Sequence, residues 1–378
     1  GKKVMAIPHN ANVSNGRMFA PTMSDGNAFT LDYARRRARW EPVVEVSQIK
    51  GDGESHPFLS PDDEFADFEN WDTSNLMGTV PKKPEMLQYE YARSVLALGL
   101  QYERILGANP FKFGMIGSSD AHTGLAAVDE DNFFGKFSNG EPSGERAFSH
   151  MAGMGPENWR LVASGLAAVW APENTREAIF DAFERREVYA TTGPRIQVRF
   201  FGGWDFVKQD VVRPDYASIG YAKGVSMGGD LLKAKKGKVP KFMVVASKDP
   251  EGANLDRAQI IKGWVGKDGK LHERVYDVAL SGNRKVNKKT GKAPSVGNTI
   301  DPANATYTNS IGAVQLATIW QDPDFEPEQR AFYYVRVIEI PTPRWTAYDA
   351  KYFGTKLPKG IPAIVRDRAY SSPIWYTP

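Results

Sequence analysis

The sequence contains no cysteine among its 378 residues. Disulfide bonds, thiolate zinc sites and cysteine nucleophiles are therefore excluded. A chain without thiols is compatible with an oxidising compartment but does not require one. Long apolar runs are also missing: no stretch approaches the roughly 18–20 apolar residues of a transmembrane helix, and no signal-peptide pattern is present.

Charge of one sign is not in large excess either. The 48 Lys and Arg residues nearly balance the 45 Asp and Glu residues, for a formal net charge of +3, and they are spread along the chain. This argues against a surface dedicated to nucleic acid, which needs clustered basic charge. The sequence also has no Walker phosphate loop, dinucleotide fingerprint or G-x-S-x-G nucleophile elbow.

The pattern of the chain predicts two domains. An apolar fraction of 41% and a length of 378 residues fit a soluble protein of about two domains. Residues 1–194 alternate strand-like and helical segments, which predicts a mostly parallel α/β unit. Residues 195–378 contain alternating strands separated by turns, which predicts an antiparallel β-sandwich. The predicted strands are 4–7, 43–49, 111–119, 196–201, 241–247, 258–265 and 333–340, and the predicted helices are 28–40, 85–106 and 172–187.

Residues able to bind a metal follow the predicted strands of the first domain. His9 follows strand 4–7, Glu45 lies in strand 43–49, and Asp120 and His122 follow strand 111–119. Reactive groups collect at the carboxyl ends of parallel strands, so we expect these side chains to lie close together. The alternative is that each belongs to an ordinary solvated turn.

The spacing of Asp120 and His122 is itself informative. On an extended segment, residues two apart point to the same side, so both could reach one cation. A carboxylate with an imidazole suits zinc, manganese or iron better than calcium. The neighbouring hydroxyls of Ser118, Ser119 and Thr123 could orient such ligands.

A second candidate is the stretch GDGESHP at residues 51–57. Glu54 and His56 repeat the two-residue spacing, and Lys50 comes directly before the stretch. A lysine beside a metal site could bind an anionic oxygen of a substrate. The alternative is a glycine-rich surface loop with ordinary charges.

Five separated motifs closely resemble the family known as domain of unknown function 3604, which is itself similar to a branch of the polymerase-and-histidinol-phosphatase (PHP) superfamily of metal-dependent hydrolases. The resemblance covers nearly the whole chain. It implies a distorted α/β barrel holding two or three divalent ions (Zn, Mn or Fe), used mainly for phosphoester hydrolysis. The motifs are IPHNANVSNGRMF (7–19), EPVVEVSQIKGDGESHP (41–57), FKFGMIGSSDAHTG (111–124), EVYATTGPRI (187–196) and AYSSPIWYTP (369–378).

The resemblance also implies roles for individual residues. His9 matches a histidine ligand, and Asp120 with His122 matches the final Asp-x-His ligand pair. Glu45 matches an acidic position that is less firmly a ligand. Glu54 and His56 belong to a loop peculiar to this family and are carried over as active-site candidates.

One departure from the superfamily pattern is the absence of a His-x-His motif, which would supply two opening ligands. The chain also begins at Gly1 and reaches a strand-like segment at once. We therefore expect an incomplete barrel, whose front and opening ligands would lie in an upstream N-terminal segment of the same protein. That segment is an expected partner for the site.

These observations predict a metal-dependent hydrolase, most simply a phosphoesterase, that acts on a small anionic substrate. The metal would lower the pKa of a bound water, with Lys50, Glu54 and His56 as catalytic or substrate-contacting groups. Hydrolysis of another ester or an amide is an alternative, and so is a non-catalytic binding or structural protein built on a truncated barrel. The resemblance favours a periplasmic or extracellular location.

Overall fold

The structure, a computed structural model, describes residues 3–151, 155–232, 234 and 237–378. None of the helices it describes has the length and apolarity needed to cross a membrane. The α-helices are α1 Leu31–Trp40, α2 Pro84–Leu87, α3 Ala92–Leu106, α4 Arg176–Glu184, α5 Tyr216–Lys223 and α6 Trp345–Phe353. Short 3₁₀ helices lie at Ala11–Val13, Glu130–Asn132, Ser138–Gly140, Arg146–Phe148, Asn158–Arg160 and Lys208–Val212.

The strands are distributed unevenly, with short ones in the first half and longer ones in the second. In the first half they are β1 Val43–Gln48, β2 Gly51–Asp52, β3 Gly114–Gly117, β4 Leu166–Val169 and β5 Val188–Thr191. In the second half they are β6 Gln197–Gly203, β7 Gly224–Ser226, β8 Asp230–Leu232, β9 Lys241–Ser247, β10 Leu255–Val265, β11 Leu271–Leu280, β12 Gln315–Gln321, β13 Ala331–Glu339, β14 Thr342–Pro343, β15 Ile364–Val365, β16 Arg368–Ser371 and β17 Ile374–Thr377.

Within the described residues these strands pair in four sheets and do not close into a barrel. A short sheet has the order β2-β1-β3. A central sheet has the order β11-β10-β13-β16-β5-β4, with β17 joining β13 to β8, and an outer sheet has the order β12-β9-β6-β7. The remaining sheet pairs β14 with β15. Among these pairs, β1 with β3 and β8 with β17 run parallel, and the others run antiparallel.

The central and outer sheets face each other across a shared apolar core, as in a β-sandwich. Alternate residues of β6 and β9 point inward from the outer sheet, and residues of β10, β13 and β16 meet them from the central sheet. This confirms the predicted antiparallel, β-rich second half. The core residues include Val198, Phe200, Phe242, Val244, Ala258, Ile260, Tyr333, Val335, Val337 and Ala369.

The other face of the central sheet is covered by α3 and the short sheet, which together form the mixed α/β part of the molecule. Side chains of α3 and β1 share a core with residues of β10, β13 and β16. The central sheet also contains β4 and β5, which precede residue 194, so strands from both predicted domains pair in it. The predicted boundary and the predicted incomplete barrel stay predictions. The shared core includes Val44, Val46, Val95, Leu96, Leu100, Ile261, Phe332, Tyr334 and Tyr370.

Two predicted elements of the first half differ from the structure. Residues 4–7 have no regular secondary structure, although Ala6 donates a backbone hydrogen bond to Trp40. The predicted helix 85–106 is divided into α2 and α3 because Tyr91 has extended backbone angles. The amides of Ala92 and Arg93 donate instead to the carbonyls of Gly53 and Glu54, at 2.8 and 3.0 Å. Tertiary contacts therefore set where α3 begins.

A buried charge network joins α3 to the central sheet. Arg93 Nη2 lies 2.6 Å from Glu54 Oε1 and 2.8 Å from Asp63 Oδ2. Arg336 of β13 lies 2.7 Å from Asp63 and 3.3 Å from Glu54, and the Tyr334 hydroxyl donates to Glu54. Burial opposes ionisation of Glu54 and Asp63, but the two arginines together hold both pKa values below the ordinary range. The name "arginine network" is used below for Glu54, Asp63, Arg93 and Arg336.

We expect Arg336→Met to lower the free energy of unfolding by about 3 kcal/mol, because it leaves buried carboxylates short of a counter-charge. Urea unfolding measures this. Arg36→Met is the matched control, since Arg36 pairs with Asp32 on the exposed face of α1 and should change stability little.

The pH dependence provides a second readout of the same variant. A depressed Asp63 pKa contributes stability that is present above its unfolded pKa of about 3.9 and is lost as pH falls through the folded pKa. The wild type should therefore lose more stability than Arg336→Met when the pH is lowered from about 6 to about 3. Equal losses in the two proteins would contradict the network's role.

Candidate functional site

Polar side chains meet beyond the carboxyl ends of the parallel strands β1 and β3. The pairing continues past both strands, since Ser118 N donates to Ser47 O at 2.9 Å and Ile49 N donates to Ser119 O at 3.4 Å. Lys50 directly follows Ile49, and Asp120 directly follows Ser119. The sequence therefore places a lysine and an aspartate side by side at the edge where α/β folds usually carry their reactive groups.

Two lysines bind the carboxylate of Asp120. Lys50 is only 2% exposed and its Nζ forms an ion pair with Asp120. Lys136 Nζ lies 2.7 Å from Asp120 Oδ2 and also donates to the Asp120 carbonyl at 2.8 Å. Asp120 itself has a positive φ of 52°, a conformation that is uncommon for residues other than glycine and that collects at functional sites. The three residues are called the Asp120 cluster below.

Burial makes the charged forms of Lys50 and Lys136 less favourable and so lowers the pKa of both lysines. Burial, together with the neighbouring Lys136, lowers the pKa of Lys50 to about 7. Burial also lowers the pKa of Lys136, although its proximity to Lys50 and the charge of Glu45 act in the opposite direction. Two ammonium groups thus share a single Asp120 carboxylate, and a further anion nearby would stabilise both.

Glu45 lies beside this cluster and connects it to His9. The Ser118 hydroxyl donates to Glu45, and the Asn10 amide lies 3.5 Å from its Oε1. Burial raises the pKa of Glu45, whereas Ser118, Asn10, His9 and Lys50 lower it. His9 is exposed, and its Nδ1 lies 3.1 Å from the carbonyl of Ile7. The structure therefore brings His9, Glu45 and Lys50 into one electrostatic neighbourhood.

His122 lies at the open side of the cluster. Its Nε2 is 4.0 Å from Asp120 Oδ1, its side chain is 51% exposed, and its ring stacks on Phe137 at 5.1 Å. The charge of Lys136 lowers the pKa of His122, with smaller effects from burial and from Lys50. Because Asp120 has a positive φ, the two residues are on a turn and not on the extended segment that the spacing predicted.

Glu54 and His56 lie in other surroundings. The Glu54 carboxylate is held in the arginine network, and the Ser55 hydroxyl donates to it at 2.8 Å. His56 is buried, with Nε2 3.2 Å from Asp72, while its Nδ1 accepts from Phe58 N at 3.1 Å. Both ring nitrogens are thus occupied. These contacts hold the loop that contains Glu54 and His56 in place. The catalytic roles predicted for the two residues stay predictions.

Lys136 was not predicted from the sequence. It lies in the stretch FFGKF (133–137), which has no clear period and no metal-binding residue. Its position depends on tertiary contacts: the His122 amide donates to the Lys136 carbonyl at 2.8 Å. Gly135 directly before it has φ 75°, and a Cβ there would lie 2.2 Å from the Gly140 carbonyl oxygen. A glycine before a lysine is too common a pattern to have identified the site.

The predicted metal ligands can be compared with this geometry. His9, Glu45, Asp120 and His122 supply the nitrogen and oxygen donors that zinc, manganese or iron prefer. Among the described residues, however, no group of three or more His, Asp or Glu side chains is placed to hold a metal ion. Asp120 is already bound by two ammonium groups, which would repel a cation. The residues do not fit a cluster of two or three ions in this arrangement.

Comparison with known families supports the motif resemblance. The sequence model of the family described as "Protein of unknown function (DUF3604)" matches residues 1–378, so the chain belongs to this family. No curated protein matches the chain. The family description states no activity, and the function must be inferred from the chemistry of the site.

A double-mutant cycle tests the Asp120 cluster. We expect Asp120→Asn and Lys136→Met each to destabilise the protein, and the double variant to lose less than the sum of the two. A coupling of about 1–3 kcal/mol in urea unfolding is expected for a buried ion pair. The exposed pair Arg213 and Asp215 is the control cycle and should show little coupling. Strict additivity for Asp120 and Lys136 would contradict the observed contact.

Proposed function

We propose that this member of the DUF3604 family is a hydrolase of a small anionic ester, with a phosphoester as the substrate class. One observation carries the proposal: the ammonium groups of Lys50 and Lys136 converge on Asp120 at the carboxyl ends of two parallel strands. Ligands of α/β proteins usually bind at such an edge. Lysine is a common point-charge binder of phosphate.

The exposure of the cluster favours an anion arriving from solvent. The side chain of Asp120 is 26% exposed, whereas those of Lys50 and Lys136 are 2% and 6% exposed. A substrate oxyanion that approached this opening would meet two desolvated ammonium groups neutralised by a single carboxylate. Charge interactions in such a partly water-excluded site are stronger than at the open surface.

The surrounding side chains have matching roles in the proposed reaction. His122 is exposed at the opening, and the nearby lysines favour its neutral form, which suits a general base for an attacking water. Lys50 and Lys136 would stabilise the negative charge that develops on the ester oxygens. Glu45 and Ser118 would orient water at the strand ends. Glu54 and His56 have no part in this scheme because their polar atoms are engaged elsewhere.

The PHP relationship, the incomplete barrel and a requirement for two or three Zn, Mn or Fe ions are proposals that rest on motif resemblance. The His9, Glu45, Asp120 and His122 donors support them by their chemistry, but a metal would have to displace the lysines from Asp120. A periplasmic or extracellular location is likewise a proposal that rests on motif resemblance. Cleavage of another ester or amide bond would use the same groups.

Hydrolysis assays test the proposed function. The purified chain should cleave members of a panel of phosphomonoesters, phosphodiesters and sulfate esters, offered with and without added manganese or zinc. Lys136→Met should lower kcat/KM by about 100-fold, because it removes a charge that stabilises the transition state. Lys351→Met, at an exposed position on α6, is the matched control.

Three outcomes would contradict the proposal. Turnover unaffected by Lys136→Met would place the reaction elsewhere. Turnover of sulfate esters alone would favour the alternative hydrolase. Saturable binding of phosphate without turnover of any ester would favour a binding protein.

Metal content is measured separately. Protein equilibrated with zinc or manganese and then desalted is analysed by mass spectrometry of the elements. Because Lys50 and Lys136 occupy Asp120, we expect this chain to retain less than one ion, and the Lys50→Met, Lys136→Met double variant to retain more. Retention of two or three ions by the wild type, lost in Asp120→Ala, would instead support the metal cluster.

A further inference from the structure

A second polar site lies in a cavity of about 220 Å³ at the end of β13. Among the described residues that line it, seven of sixteen are Asp or Glu, and the single basic residue is Arg195. The acids come from four parts of the chain: the segment 129–131, Asp249 and Glu251 after β9, Glu339 at the end of β13, and Asp367 before β16. The arginine is exposed. The cavity is therefore lined by many more acidic than basic side chains.

Glu339 is the most unusual of these acids. It is 1% exposed and lines the cavity, yet its Oε1 has no hydrogen-bond partner among the described residues. Burial raises its pKa well above the ordinary value, and the charges of Asp367 and Asp249 raise it further. Buried polar groups are nearly always satisfied, and one that is not calls for a ligand, a water or a proton.

The charge of Lys248 lowers the pKa of Glu339 in part, but the hydrogen bonds that Lys248 makes within the described residues go to other groups. Lys248 Nζ donates to the backbone carbonyls of Asp249, Pro250 and Gly252, at 2.6, 3.0 and 2.8 Å. Its contacts are thus directed at the loop that carries Asp249.

Other carboxylates of the cavity are only partly satisfied. Asp367 accepts from the Thr192 hydroxyl at 2.7 Å, and Asp249 accepts from the Arg195 amide at 2.6 Å. These donors are neutral, and the compensating charge for Asp367 comes from Arg368 and Arg344, which do not line the cavity. Burial raises the pKa of Asp367 to about 7.

The shape of the cavity decides which cation fits. It is much larger than a metal ion, and no three of its acids converge on one point among the described residues. Tyr307 and Tyr348 also line it, and aromatic rings attract organic cations through their faces. A lining that combines several carboxylates with aromatic rings suits an elongated cation that has several N–H donors and an apolar stem.

We propose that the cavity lined by Glu339, Asp249 and Asp367 binds a small organic cation with primary ammonium groups, of the linear diamine or polyamine class. The site is independent of the Asp120 cluster and of the proposed hydrolase activity. One ammonium group would hydrogen-bond to Glu339, and the stem would lie against the tyrosines.

Isothermal titration calorimetry of the full chain at low ionic strength tests this site, with 1,4-diaminobutane and spermidine as probes. We expect saturable binding that weakens at least tenfold in Glu339→Gln, which keeps the size of the side chain. Glu85→Gln, at an exposed position in α2, is the matched control and should bind normally. Asp129→Asn, on the exposed rim of the cavity, should weaken binding as well, and it serves if Glu339→Gln does not fold.

Three results would contradict the proposed amine site. Absence of saturable binding by either amine would overturn the proposal and leave the acids as protonated groups. Binding unchanged in Glu339→Gln and Asp129→Asn would place the amine elsewhere. Tighter binding of calcium than of spermidine would make the cavity a metal site.

Discussion

The ion pairs of Arg93 and Arg336 with Glu54 and Asp63 lie where the loop 53–65, helix α3 and strand β13 meet. Each carboxylate contacts both guanidinium groups, so positive and negative charges are equal in number and the hydrogen bonds are directional. Removing these groups from water is expensive, and the expense is offset only when every partner is present in good geometry. That requirement fixes α3 against the central sheet more narrowly than apolar packing alone, which tolerates small displacements.

The same network determines where the candidate site lies. Glu54 is four residues after Lys50, and the segment between them is tightly held. Gly51 has φ 96°, and a Cβ there would lie 2.4 Å from the Glu69 carbonyl oxygen, so a side chain cannot be accommodated. Asn12 Nδ2 donates to the Lys50 carbonyl at 3.0 Å. These contacts fix the backbone of Lys50. The position of the backbone in turn places the ammonium group beside Asp120.

Much of this arrangement could be predicted from the sequence, and the failures have physical causes. The strands of the second half were predictable because they are short runs rich in β-branched and aromatic residues, bounded by turn signals. Strand 43–49 and the position of Asp120 at the end of its neighbour were predictable for the same reason. The division of helix 85–106 at Tyr91 was not, because it depends on the carbonyls of Gly53 and Glu54. Lys136 was missed since nothing in its local sequence reports a contact made across 16 residues.

The arginine network, the Asp120 cluster and the cavity at Glu339 differ in their ratio of basic to acidic side chains. In the arginine network, two arginines meet two buried carboxylates, and Arg93 also contacts the partly exposed Glu273. In the Asp120 cluster two lysines contact one carboxylate, with Glu45 nearby, and in the cavity at Glu339 the described acids outnumber Arg195. Folding alone does not favour burial of unbalanced charge, because the same positions filled by apolar or neutral residues would be more stable. The proposed anionic ligand of the Asp120 cluster and the proposed cationic ligand of the cavity at Glu339 follow from this difference, whereas the predicted roles of Glu54 and His56 stay predictions.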